Sequence, residues 1–72
     1  MTRYAIIVFW SEEDGAWIAD VPDLKSCSAF GETPEEAVTE VRIAMEAWLA
    51  AARDAGHAIP APHFRPQHEA AE

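Results

Sequence analysis

The residues that could perform nucleophilic or metal chemistry are one cysteine and three histidines: Cys27, His57, His63 and His68. A cysteine nucleophile needs an orienting base beside it, yet Cys27 falls in a predicted strand and all the histidines lie in the C-terminal segment. Free cysteine is more often a small buried hydrophobe. One cysteine and three widely spaced histidines do not match a structural zinc site either. We therefore expect Cys27 to be inert, and no metal or cofactor.

Carboxylates are more abundant, and five fall near the predicted end of the sheet and start of the helix: Asp20, Asp23, Glu32, Glu35 and Glu36. A nuclease that uses two metal ions needs several carboxylates in one pocket. Helix capping, however, already explains Glu35 and Glu36, and the sequence has no glycine-rich phosphate loop. It therefore predicts a protein that is not an enzyme. A relic nuclease that uses Asp20 and Asp23 with Mg²⁺ stays open as an alternative.

The charge balance favours a binding protein. Asp and Glu number 13 against 5 Lys and Arg, which gives a formal charge of −8. This balance argues against direct binding of nucleic acid, which needs basic residues against phosphate, and suits a basic protein partner. The predicted partner contacts lie at an acidic hairpin tip and in the region that ends the second strand: Glu12, Glu13, Asp14, Asp20, Asp23 and Leu24.

Length and composition predict a single domain. The chain has 72 residues, no apolar run near the roughly 20 residues of a membrane helix, and a single cysteine, which fits a reducing cytoplasm. Three tryptophans supply large apolar area in a chain too short to bury it easily, so we expect a homo-oligomer, a dimer or tetramer. We expect a domain at residues 1–62 and a flexible C-terminal tail at 63–72, which has no periodicity.

Three strands are predicted before the helix. Residues 3–10 are rich in β-formers and apolar on both faces, as expected of a strand covered once by its own chain and once by a neighbour, or of a central strand. Asp14-Gly15 is a hairpin signal that leads into a returning strand at 16–21. Pro22 ends that strand, and a third strand is predicted at 24–30.

One long helix follows, and its start is the clearest local signal. Thr33 can cap the helix, Pro34 suits the first helical position, and Glu36 can complete a capping box. The helix should end near Ala55, with Gly56 as its stop. Its apolar stripe should pack on the sheet: Ala37, Val38, Val41, Met45, Trp48, Leu49 and Ala52.

The predicted fold class is α+β: a three-stranded antiparallel sheet in β-β-β-α order, with one long helix on one face. Residues 57–62 could add a short fourth edge strand before the prolines stop it. One helix covers a single face of such a sheet. The other face, which includes the second apolar side of the first strand, is therefore left open for a partner.

A family resemblance rests on several fixed residues with matching spacing. They are Tyr4 to Trp10, Asp14-Gly15, Pro22-Asp23-Leu24, Cys27, Gly31, Thr33 and Glu35-Glu36-Ala37. This pattern resembles the HicB family of antitoxins over about residues 3–62. The family's usual Pro-Gly before the cysteine is Lys25-Ser26 here, and Phe30 stands where a polar residue is common. Many members carry a second, DNA-binding domain, for which this chain has no room, so we expect no promoter regulation by it alone.

The resemblance implies a partial RNase H-like fold without catalytic residues. It also implies a role as a type II antitoxin that binds and neutralises a HicA-type toxin, a small basic ribonuclease that cleaves mRNA. An acidic chain fits that role, because it can cover a cationic RNA-binding face. The alternative is an orphan homo-oligomeric module of the same fold that has no toxin.

Overall fold

The structure is a computed structural model that describes residues 3–65. It contains the strands β1 (Ile7–Ser11), β2 (Ala16–Asp20) and β3 (Ser28–Gly31), followed by the helix α1 (Pro34–Asp54). The strands form one antiparallel sheet in the order β1-β2-β3. This arrangement confirms the predicted α+β fold class. No helix among the described residues is long and apolar enough to cross a membrane.

The β1-β2 hairpin forms where the sequence predicts it. Its register pairs Trp10 with Trp17 and Ser11 with Ala16. Gly15 adopts a φ of 60°, which glycine reaches without steric cost. The strand β1 is shorter than the predicted 3–10, because β2 ends at Asp20, the partner of Ile7. Residues before Ile7 therefore have no opposite strand to pair with.

The third strand is also shorter than the predicted 24–30. Residues 22–26 form a turn, held by backbone hydrogen bonds from Leu24 N to Val21 O (3.0 Å) and from Cys27 N to Leu24 O (3.3 Å). Ser26 sits in the left-handed region at a φ of 60°, which interrupts any extended strand. This is the position at which the resembled family carries glycine.

The N-terminus of α1 is capped much as predicted. The hydroxyl of Thr33 accepts a hydrogen bond from Glu36 N at 3.0 Å, and Pro34 occupies the first turn. The carboxylate of Glu36 accepts from Glu32 N at 2.6 Å, one residue earlier than a capping box requires. The loop before the cap is therefore tied to the helix. At the other end, α1 ends at Asp54 with Ala55 as its C-cap.

The predicted stop at Gly56 is confirmed by a left-handed φ of 75°. Gly56 N donates to Arg53 O at 3.0 Å, and His57 N donates to Ala52 O at 2.8 Å. These two hydrogen bonds form a Schellman motif, which satisfies the last carbonyl groups of the helix.

The helix α1 packs mainly against β3 and β2. The absence of a Cβ at Gly31 allows this approach, since a Cβ there would lie 2.7 Å from Ala37 N. Trp48 packs against the edge of the core, half-buried, and donates from Nε1 to Lys25 O at 2.9 Å. Val38 is also half-buried. The buried core comprises Tyr4, Ala19, Val21, Leu24, Cys27, Ala37, Val41, Met45 and Leu49.

Residues 57–62 form no fourth strand, so that prediction was wrong. Residues 57–65 are irregular backbone, and Pro60 and Pro62 lack the amide hydrogens that a strand ladder needs. A hydrogen bond from the hydroxyl of Tyr4 to Pro60 O ties the segment to the start of the chain. The domain boundary after residue 62 stays a prediction, and residues 66–72 of the predicted tail lie outside the described residues.

Candidate partner-binding site

The face of the sheet opposite α1 carries an apolar row. The register places Phe9, Ile18 and Phe30 side by side across the three strands. Phe9 is 47% exposed and Phe30 is 68% exposed, and Ile7 extends the row along β1 at 36%. Within residues 3–65, no element covers this open face. The first strand, which is apolar on both sides, predicted this open face. None of the residues in the row, however, was among the predicted partner contacts.

The predicted acidic tip is present and accessible. Glu12, Glu13 and Asp14 occupy the turn between β1 and β2, and all three are exposed. The hydroxyl of Ser11 donates to Asp14 Oδ2 at 2.9 Å, and Trp10 Nε1 donates to Glu12 Oε2 at 3.2 Å. These contacts order the turn without removing its carboxylates from solvent.

Asp23 binds other residues of the same chain. Its side chain is 1% exposed, and Oδ2 accepts hydrogen bonds from His63 N at 3.1 Å and Phe64 N at 3.2 Å. Its Oδ1 is buried, makes no hydrogen bond, and lies 2.8 Å from His63 Nδ1. Asp23 therefore holds the C-terminal segment rather than facing a partner.

The remaining two predicted contacts have different surroundings. Leu24 is 2% exposed and belongs to the core, so its side chain presents no surface to a partner in this conformation. Asp20 is half-buried at the end of β2 and shares the open face with Ile18. Asp20 and Asp23, the pair that a relic nuclease would use, therefore have different surroundings: Asp20 lies on the open face, and Asp23 is buried against the C-terminal segment.

The two predicted acidic regions lie at opposite ends of β2, a strand about 14 Å long at about 3.4 Å per residue. The structure does not bring them together. Instead, the pairing of Trp17 with Gly31 brings the hairpin tip to the same end of the sheet as Glu32 and the start of α1. The acidic groups of this end are Glu12, Glu13, Asp14, Glu32, Glu35 and Glu36, all exposed.

The charge of the chain is distributed unevenly. Residues 4–41 contain nine of the 13 acids and one of the five bases, Lys25, which gives this segment a formal charge of −8. The other four acids and four bases cancel. The sheet and the first two turns of α1 therefore carry the whole net charge, which would attract a basic partner to this part of the molecule.

Among residues 3–65, two groups have a shifted pKa, and both are buried. Burial raises the pKa of the Cys27 thiol, and the Asp20 carboxylate raises it further. Burial also raises the pKa of the Tyr4 hydroxyl, with a further contribution from Asp23. A protonated, buried thiol is a poor nucleophile, which fits a structural role for Cys27.

The described residues form neither a metal cluster nor an evident catalytic pocket. Across residues 3–65, no three His, Cys, Asp or Glu side chains are grouped so that they could hold a metal ion. A shallow depression of about 360 Å³ follows the exposed side of α1 and is lined by Pro34, Glu35, Val38, Thr39 and Arg42. Its charged side chains, Glu35 and Arg42, are exposed, and the hydroxyl of Thr39 donates to the backbone oxygen of Glu35 at 3.1 Å, so the depression offers no evident acid–base chemistry.

Comparison with known proteins shows what the chain is similar to. A family model described as the HicB-like antitoxin of bacterial toxin-antitoxin systems matches residues 4–71. A UPF0150 protein from Synechocystis sp. is 34% identical over 58 residues, which cover 81% of this chain and 78% of the relative. No solved structure matches the chain. The expected likeness to part of the RNase H fold therefore stays a prediction.

Proposed function

The chain belongs to the HicB-like antitoxin family of bacterial toxin-antitoxin systems, and from this membership we propose that it binds and neutralises a small basic HicA-type toxin. The proposed toxin is a ribonuclease that cleaves mRNA, so the two proteins would meet in the cytoplasm. The chain acts by occupying the toxin's cationic RNA-binding face and performs no chemistry of its own.

The observation that supports this proposal most is the uneven charge. The formal charge of −8 falls entirely within residues 4–41, and the exposed hairpin tip of Glu12, Glu13 and Asp14 extends it away from the sheet. An RNA-binding face is positively charged because it must neutralise phosphate. A concentrated acidic surface competes for such a face, accelerates association and disfavours partners of like charge.

Co-expression with the small basic protein encoded beside this chain tests the proposal. Size-exclusion chromatography with light scattering would give the stoichiometry, and growth after induction of the neighbour would report neutralisation. We expect a complex of fixed stoichiometry and rescued growth. Separate elution, absence of rescue or absence of such a neighbour would contradict the proposal.

The second candidate function is a homo-oligomeric module, a dimer or tetramer without a toxin. The exposed Phe9 and Phe30 favour it, because apolar surface of this kind commonly marks an interface. Light scattering of the isolated chain over a range of concentrations distinguishes the two functions. An oligomer that does not bind the neighbouring protein would support this second candidate.

A further inference from the structure

We propose that the basic partner docks on the open face of the sheet, the surface defined by Ile7, Phe9, Ile18 and Phe30. In this arrangement Phe9 and Phe30 are the apolar anchors, and the acidic hairpin tip forms part of the rim. The inference rests on the proposed function and deepens it, because it names the surface that makes the contact.

The composition of the open face matches the centre of a protein interface. Such centres are depleted of charge and enriched in aromatic residues, with a polar rim around them. Ile18 in the central strand pairs with Phe30 on one side and with Phe9 on the other. Phe30 is 68% exposed and Phe9 is 47% exposed. The charged residue on this face is Asp20, at the end of β2.

The surface is also pre-organised. The opposite side of the same strands is fixed by the core, where Ala19 is fully buried and Val8, Trp17 and Ala29 pack against it. Side chains on the open face therefore project from a rigid sheet. A partner that binds there would lose little free energy in ordering this surface.

Charge decides between a basic partner and a second copy of the chain. Two sheets packed face to face lie about 10 Å apart, and charges that such packing removes from solvent are screened by salt much less than exposed ones. Face-to-face packing of two copies would bring together two segments of formal charge −8 each, residues 4–41 of both chains. A basic partner on the same apolar face would instead be attracted by the negative charge of the chain.

The size of the face explains why the hairpin tip belongs to the same site. Three strands spaced about 4.8 Å apart and about 14 Å long give a platform well below the roughly 800 Å² that each partner buries in a standard interface. A stable complex must therefore extend past the sheet. The exposed Glu12, Glu13 and Asp14 continue the surface at the end of β1.

The test compares Phe9→Ser and Phe30→Ser with a matched control, Ile43→Ser. Ile43 is a large apolar residue, 60% exposed on α1, away from the open face. The probe is the small basic protein encoded beside this chain, purified in a catalytically inactive form, with affinity measured by titration calorimetry. We expect each Phe variant to bind about 30-fold more weakly, as for an interface hot spot, and the Ile43 variant to bind within about threefold of the wild type.

The possible outcomes are distinguishable. Circular dichroism melting should show all three variants folded, since the replaced side chains are exposed. Unchanged affinity in both Phe variants, with a wild-type complex still formed, would overturn the docking surface and leave the proposed function standing. A wild-type dimer that Phe30→Ser disperses would assign the face to a second copy and overturn the inference. No binding by the wild-type chain would overturn both.

Discussion

Asp23 and His63 join the end of the sheet to the C-terminal segment across 40 residues of sequence. Asp23 Oδ2 accepts a hydrogen bond from His63 N at 3.1 Å, and Oδ1 lies 2.8 Å from His63 Nδ1. The neighbouring Phe64 N also donates to Oδ2, at 3.2 Å. A single buried carboxylate thus fixes a segment that has no regular secondary structure.

Replacement of Asp23 should release this segment. Asp23→Ala removes the acceptor for two amide hydrogens, and we expect a loss of about 1–3 kcal/mol in the free energy of unfolding. Hydrogen exchange should show reduced protection of the His63 and Phe64 amides. Asp14→Ala, at the exposed tip, is the control and should leave these amides unchanged. Full protection in Asp23→Ala would contradict the role of this carboxylate.

Replacement of Ser26 by glycine should stabilise the folded protein. A left-handed conformation costs an L-residue about 1–2 kcal/mol, part of which is offset by glycine's greater freedom in the unfolded chain. We expect Ser26→Gly to raise the free energy of unfolding by about 0.5–1 kcal/mol in urea titrations. The matched control is Ser28→Gly in β3, which should destabilise by a similar amount. Equal effects of the two substitutions would argue against a strained Ser26.

Trp48 should contribute less than a fully buried tryptophan. Full burial would predict a loss of about 3–5 kcal/mol on truncation, but Trp48 is half-buried. We expect Trp48→Ala to cost about 2–3 kcal/mol and Trp48→Phe about 1 kcal/mol, the value of the hydrogen bond from Nε1 to Lys25 O. Thermal and chemical unfolding would measure both. A loss below about 0.5 kcal/mol in Trp48→Ala would mean that the helix edge does not depend on this residue.

Stability should fall at alkaline pH. Burial raises the pKa of Cys27 and Tyr4 above their ordinary values of 9.0 and 10.0, so the unfolded chain loses these protons first. The contribution of each group is complete below its ordinary pKa and is lost as the pH rises from that value through the raised pKa of the folded state. Urea unfolding at pH 8, 9 and 10 should show this decline. Cys27→Ala and Tyr4→Phe should each flatten this decline, and a decline as steep as that of the wild type in both variants would exclude these groups as its cause.

The acidic hairpin tip should govern the rate of association. Replacement of Glu12, Glu13 and Asp14 by lysine should slow binding to the basic partner by about tenfold or more at low salt and weaken its salt dependence. Stopped-flow mixing at several ionic strengths would measure this. The matched control reverses three exposed charges of α1: Glu40, Glu46 and Asp54. If both triple variants slow association equally, net charge alone, and not the tip, sets the rate.

Local signals were sufficient for most of the fold. The hairpin at Gly15 and the ends of α1 at Thr33 and Gly56 depend on residues within a few positions, and the structure confirms all three. The third strand was predicted too long because the left-handed φ of Ser26 has no signature in a serine. Residues 57–62 could have formed a short edge strand, but they are irregular backbone that contains Pro60 and Pro62. The next two residues, His63 and Phe64, donate to Asp23, a contact that local sequence does not encode.

Part of the candidate site could also be predicted from local sequence. Exposed acids at a hairpin tip follow from the turn itself, so Glu12, Glu13 and Asp14 could be found from sequence. Alternation in the first strand indicated an open apolar face, but the row of Phe9, Ile18 and Phe30 depends on the register between strands. Asp23 follows Pro22, which ends the second predicted strand, and Leu24 begins the third; both side chains are buried by distant parts of the chain.

The uneven distribution of charge gives the molecule an electric dipole. The acidic hairpin tip and the start of α1 lie at one end of the sheet, whereas four of the five bases fall outside residues 4–41. In the field of a positively charged protein, such a dipole experiences a torque that turns its acidic end forward during diffusion. The chain would therefore arrive already oriented, and dissolved salt would act on the fraction of collisions that are productive as well as on their number.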